Sequence, residues 1–153
     1  MKILLGQTLS YKKNPFLNSI ESSVEHKLDG ALVIDKGLIT DIGEKKEILQ
    51  KYPNSEIFNY KDHLITAGFI DCHMHYPQTQ IIASYGKRLL DWLEKFTFPE
   101  EMKFNDVKYA SKIASMTLDL CLINGTTTVA SYCTIHPESV DALFEEAAKR
   151  KMS

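Results

Sequence analysis

Two different rhythms of apolar and polar residues run along this chain. Up to residue 66 the apolar stretches are short and broken by turn residues. Lys2 to Gly6 reads as a short strand, and Ser10 to Lys27 is polar, with Asn14-Pro15 and Ser22-Ser23, so a loop is predicted there. Ala31 to Asp35, Lys36-Gly37 and Leu38 to Gly43 read as strand, tight turn and strand, with Gly37 supplying a positive φ. Glu44 to Tyr52 predicts one or two helical turns ended by Pro53-Asn54, and Glu56 to Tyr60 and Leu64 to Thr66 predict two further short strands. Together these predict a small β-sandwich-like lobe over residues 1–66.

From residue 67 the rhythm becomes strand and helix in turn. Phe69-Ile70 opens a buried strand that runs to His75, entered through Gly68 and stopped by Tyr76-Pro77. Leu89 to Phe96 reads as an amphipathic helical segment interrupted by Phe98-Pro99. Asn105 and Asp106 are candidate helix caps, after which Val107, Ala110, Ala114, Leu118 and Cys121 recur at helical spacing until Asn124-Gly125. Thr126 to Tyr132, rich in β-branched residues, predicts a second buried strand. A last helix begins at Pro137-Glu138, carries the stripe Val140, Leu143, Phe144, Ala147 and Ala148, and ends in Lys149-Arg150-Lys151. The fold class expected is α/β: two βα units over residues 67–153.

Composition narrows the function classes. With 153 residues, 44% of them hydrophobic and 25% charged, the chain is long enough for an ordinary domain core. A net charge of −2 makes no electrostatic case for nucleic acid or an anionic membrane as partner. No apolar run approaches the roughly 20 residues needed to span a bilayer. Cys72, Cys121 and Cys133 are odd in number and lack CxxC spacing, which suggests reduced thiols and a cytoplasmic setting. Cys72 is expected to be buried, facing away from its histidine neighbours.

The candidate chemistry sits in Asp71-Cys72-His73-Met74-His75. Strand alternation puts residues 71, 73 and 75 on one side, so two imidazoles stand next to each other behind a carboxylate. A His-x-His pair at the exit of a buried strand is a natural half of a metal site, although such a pair taken alone is more often two hydrogen-bonded strand residues. Asp71 lies deeper and reads as a strand anchor. Gln78 follows in the exit loop, with an amide that offers both donor and acceptor. Trp92 is equally readable as a core aromatic or a ligand platform. Glu94, Glu100 and Glu101 read as solvated surface charges, and His136 as a helix-entry residue.

The stretch GFIDCHMH resembles the first barrel strand of the amidohydrolase superfamily. HYPQTQ and, further on, LLDWLEKFTFPEE are similar to the guanine deaminase branch of it. One departure is Ala67, where that family usually has Pro before the Gly. The resemblance implies the start of a (β/α)₈ TIM-type barrel, preceded by an incomplete β lobe. It also implies Zn²⁺ held in part by His73 and His75, and a purine contacted by Gln78, with Tyr76, Pro77 and Trp92 shaping its pocket. It assigns no catalytic residue here: the proton-shuttling Glu and the metal-proximal Asp are expected downstream of Ser153. Guanine and water are the implied small-molecule partners, with a homodimer for the full-length protein. A whole barrel takes about 250 residues, so the chain reads as an N-terminal portion. Another deaminase or a chlorohydrolase of the superfamily, or a non-catalytic fragment that associates with a partner chain, are the competing readings.

Overall fold

A computed structural model describes all 153 residues. The chain divides into two compact units, Met1–Ala67 and Gly68–Ser153.

The first unit is built on one four-stranded sheet in the order β3-β2-β1-β4. Its strands are β1 (Lys2–Tyr11), β2 (Val24–Asp35), β3 (Leu38–Glu44) and β4 (Glu56–Thr66). A short turn of helix, α1 (Ile20–Ser23), precedes β2, and α2 (Lys45–Lys51) follows β3. The sandwich-like lobe is, over these residues, a single sheet backed by a helix. Ile3, Leu5, Ala31 and Val33 alternate inward and meet Ile48 of α2 to form the core. The β2–β3 hairpin turns at Lys36 (φ 50°) and Gly37 (φ 83°). Two positive φ values in a row define the turn type whose twist matches its flanking strands.

Two expectations for this unit need correction. The polar stretch Ser10 to Lys27 is a loop only in its middle, because β1 and β2 pair as far as Tyr11 opposite Val24. Ion pairs across strands, such as Lys12–Glu25 (3.1 Å) and Lys27–Glu44 (3.4 Å), let these charged residues line a ladder. The two short strands 56–60 and 64–66 are one strand. β4 runs parallel to β1 throughout, and a bulge skips from Tyr60 opposite Gly6 to Leu64 opposite Gln7.

The second unit is a parallel βαβ arrangement. β5 (Phe69–His75) pairs with β6 (Thr126–Tyr132), and the chain between them passes through α5 (Val107–Ile123) before α6 (Pro137–Arg150) closes the unit. Asp106 caps α5 by accepting the backbone N–H groups of Lys108 and Tyr109. Tyr76, Phe104, Ala110, Ile113, Ala114, Leu118, Ala142 and Leu143 form the core. The aromatic rings of Tyr76, Phe104 and Tyr109 stack edge-on in series. Of the α6 stripe, Leu143 is buried while Phe144 is 70% exposed.

Phe98-Pro99 does not interrupt the helix it was expected to break. α3 (Leu89–Trp92) runs through a wider π turn (Leu93–Thr97) into α4 (Phe98–Glu101) and a 3₁₀ turn (Met102–Asn105). A proline ring clashes with the carbonyl four residues earlier in a regular α-helix. The wider turn immediately before Pro99 relieves that crowding and lets the helical path continue.

Candidate active site

β5 is irregular at the point where its chemistry begins. Asp71 lies opposite Val129, yet Met74 lies opposite Ser131, so three steps on β5 match two on β6. This is a β-bulge at Cys72-His73. The backbone N–H of His73 donates to Asp71 Oδ1 at 3.0 Å, so the carboxylate takes up a donor within the bulge. Asp71 therefore anchors its own strand. Cys72, expected to be buried, is exposed. β5 has β6 as its only strand neighbour, and Cys72 falls within the bulge, where side-chain alternation breaks. At the other end of the strand Gly68 is a steric necessity, since a Cβ there would lie 2.1 Å from Thr127 Oγ1.

His73 and His75 remain side by side despite the bulge, with ring centroids 5.3 Å apart and planes inclined at 51°. Both rings are accessible to solvent. Tyr132, register partner of His75 at the end of β6, lies against both of them. It stacks on His75 at 4.7 Å and 12°, and approaches His73 at 5.0 Å. The sequence reading missed this residue. Its signal was position: in a parallel pair the last residues of the two strands meet.

The imidazole pair fits half of a zinc site. Two imidazoles bound to one tetrahedral zinc at about 2.0–2.1 Å place their ring centroids about 5 Å apart, close to the spacing seen here. No group of three His, Cys, Asp or Glu side chains gathers anywhere in these 153 residues to complete a set. The residues present thus supply two of the roughly four positions such an ion takes.

After β5 the chain enters a 3₁₀ helix, Tyr76–Ile81, with Pro77 in its first turn. Of the two expected wall residues, Tyr76 lines the cavity and Pro77 does not. The Tyr76 side chain is fully buried, donates its O–H to the Ser139 carbonyl, and packs edge-on against Phe104. Burial pushes its phenol pKa upward. Pro77 is buried as well and does not line the cavity. The tight helical turn directs both rings to the core, so they set the site's shape by holding the turn in place. Thr79 Oγ1, at 2.7 Å from Thr117 Oγ1, ties the same turn to α5.

A mainly apolar cavity of about 680 Å³ opens beside the histidines. His73, His75, Gln78, Trp92, Thr117 and Cys121 are among its lining residues. Its size falls within the range of small-molecule sites. Trp92 is held by an Nε1–H bond to the Ser84 carbonyl at 3.0 Å, so its ring is fixed as a wall. Gln78 Nε2 donates to Glu101 Oε1 at 3.0 Å and stands 3.5 Å from His75 Nδ1.

The glutamates of α4 are not solvated surface charges. Glu100 is only 5% exposed, pairs with Lys103 Nζ at 2.6 Å and accepts the Tyr109 hydroxyl. Burial first, and then the Glu100 carboxylate, push the Tyr109 phenol up to about 12. Glu101 is half-buried against Gln78. His136 stands at the N-cap of α6, contributes no side-chain cap, and has a buried Nε2 without a partner. It is not among the cavity-lining residues.

Paired imidazoles at the exit of a parallel strand thus stand beside a walled cavity that one oriented amide enters. Residues 64–152 match the amidohydrolase family, and the chain belongs to it. It is 40% identical over 134 residues to the guanine deaminase of Escherichia coli (strain K12), covering 87% of this chain and 30% of that protein. The E. coli guanine deaminase structure superposes with a TM-score of 0.90 at 36% identity, over 99% of this chain and 36% of that one. A guanine deaminase from C. acetobutylicum, solved with guanine bound in its active site, gives a TM-score of 0.80 at 30% identity, covering 99% of this chain and 34% of that one. An atrazine chlorohydrolase from Arthrobacter aurescens TC1, complexed with zinc, shares the fold at 0.73 and 19% identity, covering 99% and 34%. The chain thus spans about a third of the length of the relatives it matches. No helix is long and apolar enough to cross a membrane.

Proposed function

We propose that these residues form the metal- and purine-binding start of a zinc-dependent guanine deaminase, which converts guanine and water to xanthine and ammonia. In this reading the βαβ unit opens a (β/α)₈ barrel, and residues 1–66 and 67–153 are separate structural domains. The observation that carries the proposal is the His73–His75 pair on the rim of a cavity into which Gln78 presents an amide. Similarity to guanine deaminases in both sequence and structure supports it.

His73 and His75 would hold the zinc through ring nitrogens. When bound, zinc supplies a Lewis-acid centre that makes water nucleophilic near neutral pH. The chain's own residues do the rest of what is visible here. Tyr132 packs on both imidazoles and limits their rotation. Trp92 offers an aromatic wall for a flat purine. Gln78 offers hydrogen bonds to the purine edge. The apolar lining excludes water from the flat faces of the ring.

The test is xanthine formation from guanine, with added zinc, by the full-length protein that carries these residues, read beside metal content. His73→Ala and His75→Ala should each lower zinc content and remove turnover. A zinc-loaded protein that left guanine untouched while hydrolysing another aminopurine or a chlorotriazine would move the assignment to another amidohydrolase.

A further inference from the structure

Gln78 has two chemically different ends, and only one suits a given substrate edge. The amide nitrogen donates and the carbonyl oxygen accepts. A free glutamine rotates by half a turn about its terminal bond and offers either end. Glu101 removes that freedom. A carboxylate can only accept, so the Nε2 end is the one that can face it, and the bond measures 3.0 Å. His75 Nδ1, 3.5 Å away, lies on the same nitrogen. Turning the amide over would set its oxygen against the carboxylate.

Glu101 itself does not line the cavity, whereas Gln78 does. The glutamate stands behind the amide. Its direction depends on the helix it belongs to. Each residue of an α-helix turns the path by about 100°, so the extra residue of the π turn Leu93–Thr97 redirects everything after it. Glu100 then points to Lys103 and Tyr109, and Glu101 points to Gln78.

We propose that Glu101 is a positioning residue that locks the Gln78 amide with its carbonyl oxygen toward the cavity. The site thereby selects purines that present an N–H at that edge. This rests on the reading of the cavity as a purine site.

The test compares Glu101→Gln, Glu101→Ala, Gln78→Ala and the Gln78→Ala/Glu101→Gln pair in the intact protein. Loss of the orienting carboxylate leaves the competent amide orientation about half-populated, which predicts a KM for guanine raised about twofold in E101Q, with kcat unchanged. E101Q keeps the size and hydrogen-bonding capacity of the side chain but lets the facing amide adopt either orientation, so orientation alone is removed. The paired variant should be no worse than Gln78→Ala, because Glu101 acts only through Gln78. Losses that multiply in the pair, or an E101Q enzyme with an unchanged KM, would overturn the proposal.

A second measurement does not depend on the substrate. The side-chain amide hydrogens of Gln78, identified by their disappearance in Gln78→Ala, should exchange with water more slowly than those of the exposed Gln50 and Gln80. They should exchange faster in E101Q. Exchange as fast as at Gln50 in the unaltered protein defeats the positioning role whatever the substrate is. Slow exchange in a protein that ignores guanine would leave the lock standing and remove the guanine reading instead.

Discussion

The two units handle irregular backbone with a different balance of means. In Met1–Ala67 the closest strand approaches are made by omitting side chains. A Cβ on Gly6 would lie 2.8 Å from the Tyr60 carbonyl, and a Cβ on Gly30 would lie 2.5 Å from Thr8 Oγ1. In Gly68–Ser153 most irregularities are stitched by side chains that reach from elsewhere. Asp71 holds the bulge in β5, Tyr76 reaches Ser139, Gln78 meets Glu101, and Trp92 reaches Ser84. The 3₁₀ turn, the π turn and a non-glycine residue with positive φ (Ala83, 63°) all fall between β5 and α5. Backbone departures held by side chains are how chains aim functional groups, and they cluster where the candidate site lies.

The largest effect should come from cutting the longest stitch. Tyr76→Ala removes a fully buried ring and is expected to cost about 3–5 kcal/mol. Tyr76→Phe keeps the ring but removes its hydrogen bond to the Ser139 carbonyl, for about 1 kcal/mol. Residue-resolved hydrogen exchange should show protection lost across 68–153 and kept in β1 and β2. Equal loss in both units would mean that they do not hold themselves together separately.

Gly30→Ala is the matching lesion in the first unit. The added methyl meets Thr8 Oγ1 and Cγ2 inside a sheet where Thr8 is only 2% exposed. Overpacking predicts a loss of about 1–3 kcal/mol. Thr8→Ala in the same chain should restore much of it, since it deletes both clashing atoms. Additive losses in a thermal or urea titration would show that the backbone, and not the threonine, is the obstacle.

A smaller effect concerns the clamp between α5 and α6. Arg150 donates to both Asp119 oxygens, at 2.7 and 3.0 Å, and to Glu146 Oε2 at 2.7 Å. The Arg150 guanidinium holds the Asp119 carboxyl below its usual range. Lys149 first, and then Arg150, do the same for Glu146. Depressed carboxyl values mean stability that is present above the ordinary carboxylate range of about 4 and lost as pH falls through the depressed values. Melting temperature should therefore decline on acidification below about pH 4, and Arg150→Ala should flatten that decline. An unchanged slope in the variant would count against the clamp.

Local rules and long-range stitching also divide what the sequence made legible. The Lys36-Gly37 hairpin, the Asp106 cap, both parallel strands and the side-by-side histidines were readable, because each depends on residues within a few positions. Glu100 and Glu101 were not. A glutamate on a helix looks solvated until its partner is known, and here the partners are Tyr109 and Gln78, the latter 23 positions earlier. Cys72 was misplaced because alternation assumes an unbroken strand. Pro99 was misread as a stop because the π turn that accommodates it has no signature in apolar periodicity.

The smallest effect tests whether the strained link beside the site is needed at all. Ala83 borders the cavity with φ 63°, between the 3₁₀ turn and Trp92. A left-handed conformation costs an L-residue roughly 1–2 kcal/mol, and glycine avoids that. Glycine also loses about 0.4–1 kcal/mol more backbone entropy on folding. Ala83→Gly should therefore stabilise the protein by about 0.5 kcal/mol, visible as a small rise in denaturant midpoint. If the Trp92–Ser84 bond fixes this stretch unaided, Trp92 fluorescence and the KM for guanine will stay as they are. If the strain at Ala83 is what holds Ser84 against the indole, stability will rise while the Trp92 emission shifts and KM increases. In the first case the side-chain stitch is sufficient, as at Asp71 and Gln78. In the second, the backbone of the second unit carries part of the aim itself.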